Sequence, residues 1–536
     1  MIKSIIKKEY LKLKFYLFIL LLLSFGTIAH FWYNLDFAFA TIEPESMMWY
    51  RFAQLGSKPY YHLSYIFLLF AVVVSFSEFL PERIKFRIKI MAHLPLKMRD
   101  SLFLHLLVGS SFVTLFSLIL ACSIAIIMSS YYPHEIVLVA FKDTLAYSFA
   151  AIVFYVALSS VILEKNIKVL LFKALLMLLF VVLFVKERYF LQDSLWLAFL
   201  FVIPFVALDS FYSIKEQRVD SLAYKLSLAL ITISLVYLSY ANYKEIYKKP
   251  FSHFYIFYSN IANDFVYQKN FTGHSFNYGI KGKKRFDRKT YETHLPFVYY
   301  KNLEIQNRLP IKIGNMIFDK EQIKFSRLGF NYHPALLKPQ EVNLYPLLNP
   351  RKDEGVIKFS EEAFSIKNNS AVVYDYHNLK NKTLSNELTM KLNKKKFKYP
   401  ALRVWGKSTN MKPFDKGYLV LDSQKKLFNI SRADDIINVE EISYPKDIDI
   451  AYINISENKQ KKLSGYAIDA KSRFYLLSWD FEFIPVVLED FDYKTMRLKL
   501  ISNPLNYLIR YDNQMSYYAL ALDKEYKSIK STKLER

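Results

Sequence analysis

The sequence predicts an α-helical polytopic membrane bundle of about seven transmembrane helices, followed by a mainly-β extracytoplasmic domain, propeller-like or built of stacked hairpins. Three observations carry this expectation. Apolar stretches of span length succeed one another up to residue 242 and then cease. Basic residues near the span ends alternate in density from one connection to the next. Beyond Tyr243, Tyr, Phe, Lys and Asn increase, and short alternating runs bounded by Asn, Asp, Gly and Pro take over.

At 536 residues the chain exceeds what one core of ~250–300 residues organises. A hydrophobic content of 53% excludes a disordered or fibrous chain. One cysteine, Cys122, excludes an intrachain disulfide framework and a Cys-rich metal site. Residues 1–14 place Ile2, Ile5, Ile6, Tyr10 and Leu13 along one helical stripe with lysines elsewhere, which predicts a cytoplasmic amphipathic helix at the lipid surface; a plain positive-inside anchor fits equally. The transmembrane domain, 15–242, contains spans at Phe15–Tyr33, Leu63–Leu80, Leu102–Met128, Thr144–Leu163, Val169–Val185, Leu195–Phe211 and Leu226–Tyr240. Lys and Arg crowd the N-terminus and the second, fourth and sixth connections, whereas Arg51, Lys58, Lys142 and Arg188 are sparse on the other side. The N-terminus is therefore expected in the cytoplasm and the C-terminal domain in the periplasm of a bacterial inner membrane. Much of the +24 net charge is then topological, and no nucleic-acid partner is expected.

Three ionisable groups fall at membrane depth: His105, Lys173 and Asp209. Such groups usually face a bundle interior or water. Lys173, one turn inside its span, can snorkel to the interface, and Asp209 beside Ser210 reads as a cap or an interfacial group. Ser117, Ala121, Ala125 and Ser129 recur every fourth residue and give the third span a smooth face for close helix packing, within the bundle or in a homodimer.

The connection Ser77–Leu107 carries Glu78, Arg83, His93, Leu94, Pro95 and Arg99, with Pro95 forcing a turn beside a basic, half-apolar segment. Here the chain resembles the permease subunits of ABC exporters, in which an interfacial helix precedes the first span and a glutamate-containing basic loop with a leucine-proline turn contacts the ATPase. The resemblance covers roughly the first 210 residues. It implies a cytoplasmic ATP-binding subunit as partner, with a related permease or a second copy completing the assembly; the alternative is a basic loop that only fixes topology.

Residues 243–296 read as a connecting segment, with 260–289 irregular, and 297–536 as the β-rich domain. A repeat of strand, Asp-led turn and strand centres on Asp319, Asp422, Asp469 and Asp523, with Gly355–Ser360 a degenerate copy. Turn formation is the expected role of these aspartates, and calcium binding the alternative. Trp405-Gly406 and Lys412-Pro413-Phe414-Asp415-Lys416-Gly417 lead into this repeat. With the surrounding residues 300–530 they resemble the C-terminal domain of an uncharacterised bacterial membrane-protein family associated with ABC transporters.

Trp405-Gly406-Lys407-Ser408 imitates the end of a phosphate loop, but Ala401 stands where the first glycine belongs, so no ATPase is expected in this chain. No histidine pair has metal-ligand spacing and no nucleophile motif occurs, so neither a metal, a cofactor nor an enzyme is expected. The expected function is a permease-like subunit that couples a separate ATPase to transport or to conformational work in the periplasm. The alternative is a membrane-anchored accessory or assembly factor whose β domain binds a periplasmic client, such as a respiratory metalloenzyme.

Overall fold

A computed structural model describes residues 2–41, 46–84, 97–185, 190–213, 222–246, 253–271, 275–282, 285–375, 377 and 379–535. The chain divides into two compact units, Met1–Lys248 and Lys249–Arg536.

The first unit is helical: α1 (Ile2–Thr41), α2 (Ser46–Leu55), α3 (Ser64–Ile84), α4 (Met98–Ser129), α5 (His134–Leu163), α6 (Ile167–Val185), α7 (Phe190–Tyr212) and α8 (Leu222–Ile246). Four of these segments are long and apolar enough to cross a membrane: Lys3–Thr41, Tyr61–Ile84, Arg99–Ser129 and His134–Leu163; Phe199–Tyr212 is a shorter apolar stretch. The segment 1–14 is not a separate element, because α1 runs unbroken from Ile2 to Thr41. Helix α5 is the hub, packed against α3, α4 and α7, and 78% of its most apolar window is buried. The hydroxyls of Thr144, Ser148 and Ser159 donate back to carbonyls of the same helix, 2.7–2.9 Å away, so α5 carries polar residues into an apolar interior with none of these hydroxyls left without an acceptor.

The second unit is mainly β, with strands in antiparallel sheets. The first sheet comprises β1 (His253–Ser259), β2 (Asp264–Asn270) and β3 (Phe276–Ile280). It occupies part of the stretch expected to be an irregular connection, and its apolar Phe254, Ile256 and Tyr258 alternate onto one buried face. A hairpin, β4 (Ile311–Ile313) with β5 (Met316–Phe318), follows, then the short strand β6 (Gly329–Tyr332). Next come the small sheet β7 (Tyr345–Pro346), β8 (Ala363–Ile366) and β9 (Ala371–Tyr374). Two four-stranded meanders follow: β10 (Arg403–Gly406), β11 (Tyr418–Leu421), β12 (Leu427–Ala433) and β13 (Ile436–Ile442), then β14 (Ile450–Ile455), β15 (Leu463–Asp469), β16 (Phe474–Ser478) and β17 (Phe483–Val486). The last, β18 (Arg497–Ser502), β19 (Tyr507–Asp512), β20 (Ser516–Leu522) and β21 (Ser528–Glu535), takes β6 as a fifth strand beside β18. The short helices are α9 (Arg288–His294), α10 (Tyr300–Ile305), α11 (Lys320–Phe325) and α12 (Lys382–Lys394).

Successive sheets share cores. Side chains of β1 and β2 pack on β19–β21, the β18–β20 face packs on β15–β17, β14–β16 pack on β10–β12, and β11–β13 pack on β7–β9 with α12. The period of two is visible in β11: Tyr418 and Val420 enter one core, Leu419 and Leu421 the next. The series is open. Among the described residues no closed propeller or barrel forms, so the propeller-like expectation reduces to stacked antiparallel hairpins.

Three hairpins share one turn. Asp422 Oδ1 accepts the amides of Gln424 (2.9 Å) and Lys426 (2.8 Å); Asp469 Oδ1 those of Lys471 (2.9 Å) and Arg473 (2.8 Å); Asp523 Oδ1 those of Glu525 (3.0 Å) and Lys527 (2.8 Å). The third residue after each aspartate, Lys425, Ser472 or Tyr526, has φ of 61°, 65° or 66°. Asp319 departs from the expected repeat. It caps α11, accepting Gln322 N at 2.7 Å while the Gln322 side chain returns to its amide, because Lys-Glu-Gln after it favours a helix over a turn. Gly355–Ser360 contains no strand.

Asp469→Ala is expected to weaken its turn by about 1–2 kcal/mol, raising amide exchange at Lys471 and Arg473 roughly tenfold. Asp319→Ala should speed exchange only in α11. Hydrogen-exchange mass spectrometry on the full chain in detergent checks both.

Candidate functional site

The β unit contains a cleft of about 640 Å³, within the about 300–1,000 Å³ typical of ligand sites. It lies where three terminal strands approach one another: β6 ends its five-stranded sheet, while β10 and β14 each border a four-stranded one. A terminal strand presents backbone donors and acceptors that no neighbour uses. β6 and β14–β15 are knitted by Tyr466, whose hydroxyl donates to Asn331 O at 2.8 Å, and by the Tyr332 and Tyr452 rings, 5.3 Å apart.

The walls include Tyr345, Ile366, Trp405 and Tyr452. Burial raises the pKa of the Tyr345 and Tyr452 hydroxyls, keeping both neutral, with the charge of Arg403 opposing the shift at Tyr345. Lys338, Arg403 and Lys407 line the cleft and no Asp or Glu does. Arg403 and Lys407 are exposed, and neither side chain has an ion-pair partner among the described residues.

Beneath Lys407 a buried lock holds the strands in place. Lys412 Nζ donates to Glu457 (2.8 Å), Asp415 (2.7 Å) and Lys407 O (2.8 Å), and all three charged side chains are almost fully buried. Asp415 also accepts the amide of Gly417 at 3.1 Å. Gly417 has φ +72°, and a Cβ there would lie 2.0 Å from Ile430 O. The Lys416 ammonium sits over Trp479 (4.2 Å) and Phe481 (4.5 Å), and burial lowers its pKa. The segment Trp405–Gly417 thus joins the β10–β13 and β14–β17 sheets through charge pairs and ring contacts. Trp405-Gly406 lies in β10, and Lys407-Ser408 runs on into an irregular loop.

The helical unit holds two buried polar clusters. Glu9 of α1 faces Lys8 (3.3 Å), Lys12 and His105 (3.6 Å); Glu82 of α3 pairs with Lys8 (3.1 Å) and Lys12 (3.2 Å). Glu78 accepts the Tyr155 hydroxyl at 2.6 Å, and Lys12 donates to its carbonyl at 2.8 Å. Gly109 of α4 faces this pair: an added Cβ would stand 1.9 Å from the Tyr155 oxygen and 2.2 Å from Glu78 Oε2. In the second cluster Lys173 Nζ donates to Asp209 (2.6 Å), Glu164 (3.0 Å), Ser210 (2.7 Å) and Val206 O (3.2 Å). Lys173 therefore points into the bundle instead of snorkelling, and Asp209 is its ion-pair partner, since two carboxylates and a hydroxyl offset its desolvation.

Of the expected coupling residues, Glu78 is buried inside α3 and not on a loop, Arg83 donates to Ile162 O at 3.0 Å, and Arg99 pairs with Asp100 at 3.1 Å on the surface. His93, Leu94 and Pro95 lie outside the described residues. His105 makes a 2.7 Å contact with Ser101 O. Along α4, Ser117 and Ala121 are fully buried, Ala125 half-buried and Ser129 exposed, so the small-residue stripe turns out of the core. Asp422 and Asp469 are buried turn residues and Asp523 is half-buried; no group of three or more His, Cys, Asp or Glu able to hold a metal occurs among the described residues. Sequence reasoning missed Glu9, Glu82, Glu164 and the Lys412–Glu457 pair. A carboxylate directly beside a basic residue, as in Lys8-Glu9, Glu82-Arg83 and Glu164-Lys165, was the available signal for the first three; the last joins residues 45 apart and has no local signal.

Lys412→Met should destabilise the β unit by about 3–5 kcal/mol, because it leaves two buried carboxylates uncompensated, and adding Asp415→Asn and Glu457→Gln should recover part of that loss. Thermal melts followed by tryptophan fluorescence read both.

A family model described as Domain of unknown function (DUF4857) matches residues 255–522, half of the chain, from β1 to the end of β20. No curated protein and no solved structure matches the chain.

Proposed function

We propose, for a chain that belongs to the DUF4857 family of domains of unknown function, the role of a membrane-anchored binding module. In this reading about seven spans fix the helical unit in a bacterial inner membrane, with the N-terminus in the cytoplasm and the β unit in the periplasm. The β unit holds a client protein there, for instance a metalloenzyme under assembly, and performs no catalysis. The observation that supports it is the β-unit cleft, where three terminal strands and a cationic lining meet without a single carboxylate. The surplus of Lys and Arg at the N-terminus and in alternate connections supports the orientation.

A second reading keeps the permease-like subunit driven by a cytoplasmic ATPase. It is favoured by the ion cluster that ties α1 (Glu9, Lys12) to the end of α3 (Glu82) and the start of α4 (His105), the two helices that flank residues 85–96. Such a cluster makes a firm base on which a partner could push.

Photo-crosslinkers at Lys407 and Ser408, in living cells, should trap a periplasmic protein, whereas one at exposed Met390 on α12 should not. Recovery of an ATP-binding subunit from detergent extracts, with no cleft crosslink, would favour the second reading instead. A periplasm-dependent reporter fused after Tyr243 should be active; activity only of a cytoplasmic reporter overturns the orientation proposed here.

A further inference from the structure

We propose that the β-unit cleft takes an extended acidic peptide segment as an added strand. This rests on the reading of that unit as a binding module and names its ligand class. On the terminal strand of an antiparallel sheet, every second residue turns its N–H and C=O away from its one partner. β6, β10 and β14 are all terminal, and all three line the cleft. On β6 Asn331 O already accepts the Tyr466 hydroxyl, so β10 and β14 offer the backbone edge that another strand satisfies. β10 has four residues, so an added strand of that length covers about 13 Å.

The lining selects the sign of the charge. Arg403 and Lys407 line the cleft and no Asp or Glu does, so a segment bearing carboxylates is attracted and a basic one repelled. The walls select alternation. Side chains of a strand leave from opposite faces, and the cleft offers both ring surface, from Tyr345 and Tyr452, and cations. An anionic sugar or free phosphate satisfies the charge but has no strand edge to pair.

The test uses the full-length chain in nanodiscs of zwitterionic lipid and fluorescence anisotropy with peptides of roughly ten residues, about five two-residue strand repeats, alternating valine with glutamate or with lysine. The glutamate peptide should bind about tenfold more tightly than the lysine peptide, and Arg403→Glu with Lys407→Glu should invert the order. Lys394→Glu with Lys527→Glu, the same charge change at exposed positions outside the cleft, should leave the order intact. N-methylation of alternate peptide amides should abolish binding. If the reversed pair fails to fold by thermal melt, Arg403→Gln with Lys407→Gln should still erase the preference. Equal binding of the two peptides, inversion by the control pair as well, indifference to N-methylation, or displacement by inorganic phosphate or a polysulfated sugar at peptide concentrations each overturns the proposal. Cleft crosslinks in cells alongside failed peptide binding reject the acidic strand and leave the binding module standing. Loss of both rejects the two together.

Discussion

The β unit depends on one constraint: its central sheets are apolar on both faces. In β11, β15 and β20 consecutive side chains enter different cores, so neither face of these strands can meet water. Each sheet must therefore be covered twice, and covering it with another two-faced sheet only passes the requirement along. The series stops where something one-sided takes over. At one end α12 lays Leu388 and Leu392 against the β7–β13 core; at the other, Tyr291 of α9 and the adjoining Leu295 pack with Val266 and Ile280 of the first sheet. Stacking without ring closure is stable because both ends are capped by helices with a polar outer side.

The same arrangement explains why polar locks occur where they do. Neighbouring sheets slide past each other easily when only aliphatic surfaces meet, since dispersion contacts are non-directional. Lys412 with Glu457 and Asp415, and Tyr466 with Asn331, add directional contacts between successive sheets and so fix their offset. The cleft is a product of that offset: the terminal strands remain close without pairing.

Much of the architecture was legible before any coordinates. The change from long apolar runs to short alternating ones marks the division at Lys248, and the Asp-led turns at Asp422, Asp469 and Asp523 announce themselves because an aspartate binds amides two and four residues on. Asp319 shows the limit of that pattern, since an identical Asp serves a helix cap when Gln stands three places later. The sheet at β1–β3 was hidden because Asp264, Gln268, Asn270 and Asn277 interrupt the apolar alternation of its strands. The ion pair of Lys173 with Asp209 joins two helices 36 residues apart, and spacing alone carries no trace of such a meeting. The cleft was illegible for the same reason: its lining comes from segments that become neighbours only after folding, while the local motif at its border, Trp405–Gly417, reads as a phosphate loop or a repeat.

Gly109 shows how a missing atom can set a dimension. The space its side chain would fill is occupied by the Tyr155 hydroxyl and a Glu78 oxygen, so the separation of α3, α4 and α5 at this level is the width of one hydrogen bond laid against bare backbone. Rotating or translating α4 would bring Leu or Val side chains onto that oxygen pair. The three helices are consequently indexed to one another like a key in its wards, and any motion they undergo must carry all three as a single piece.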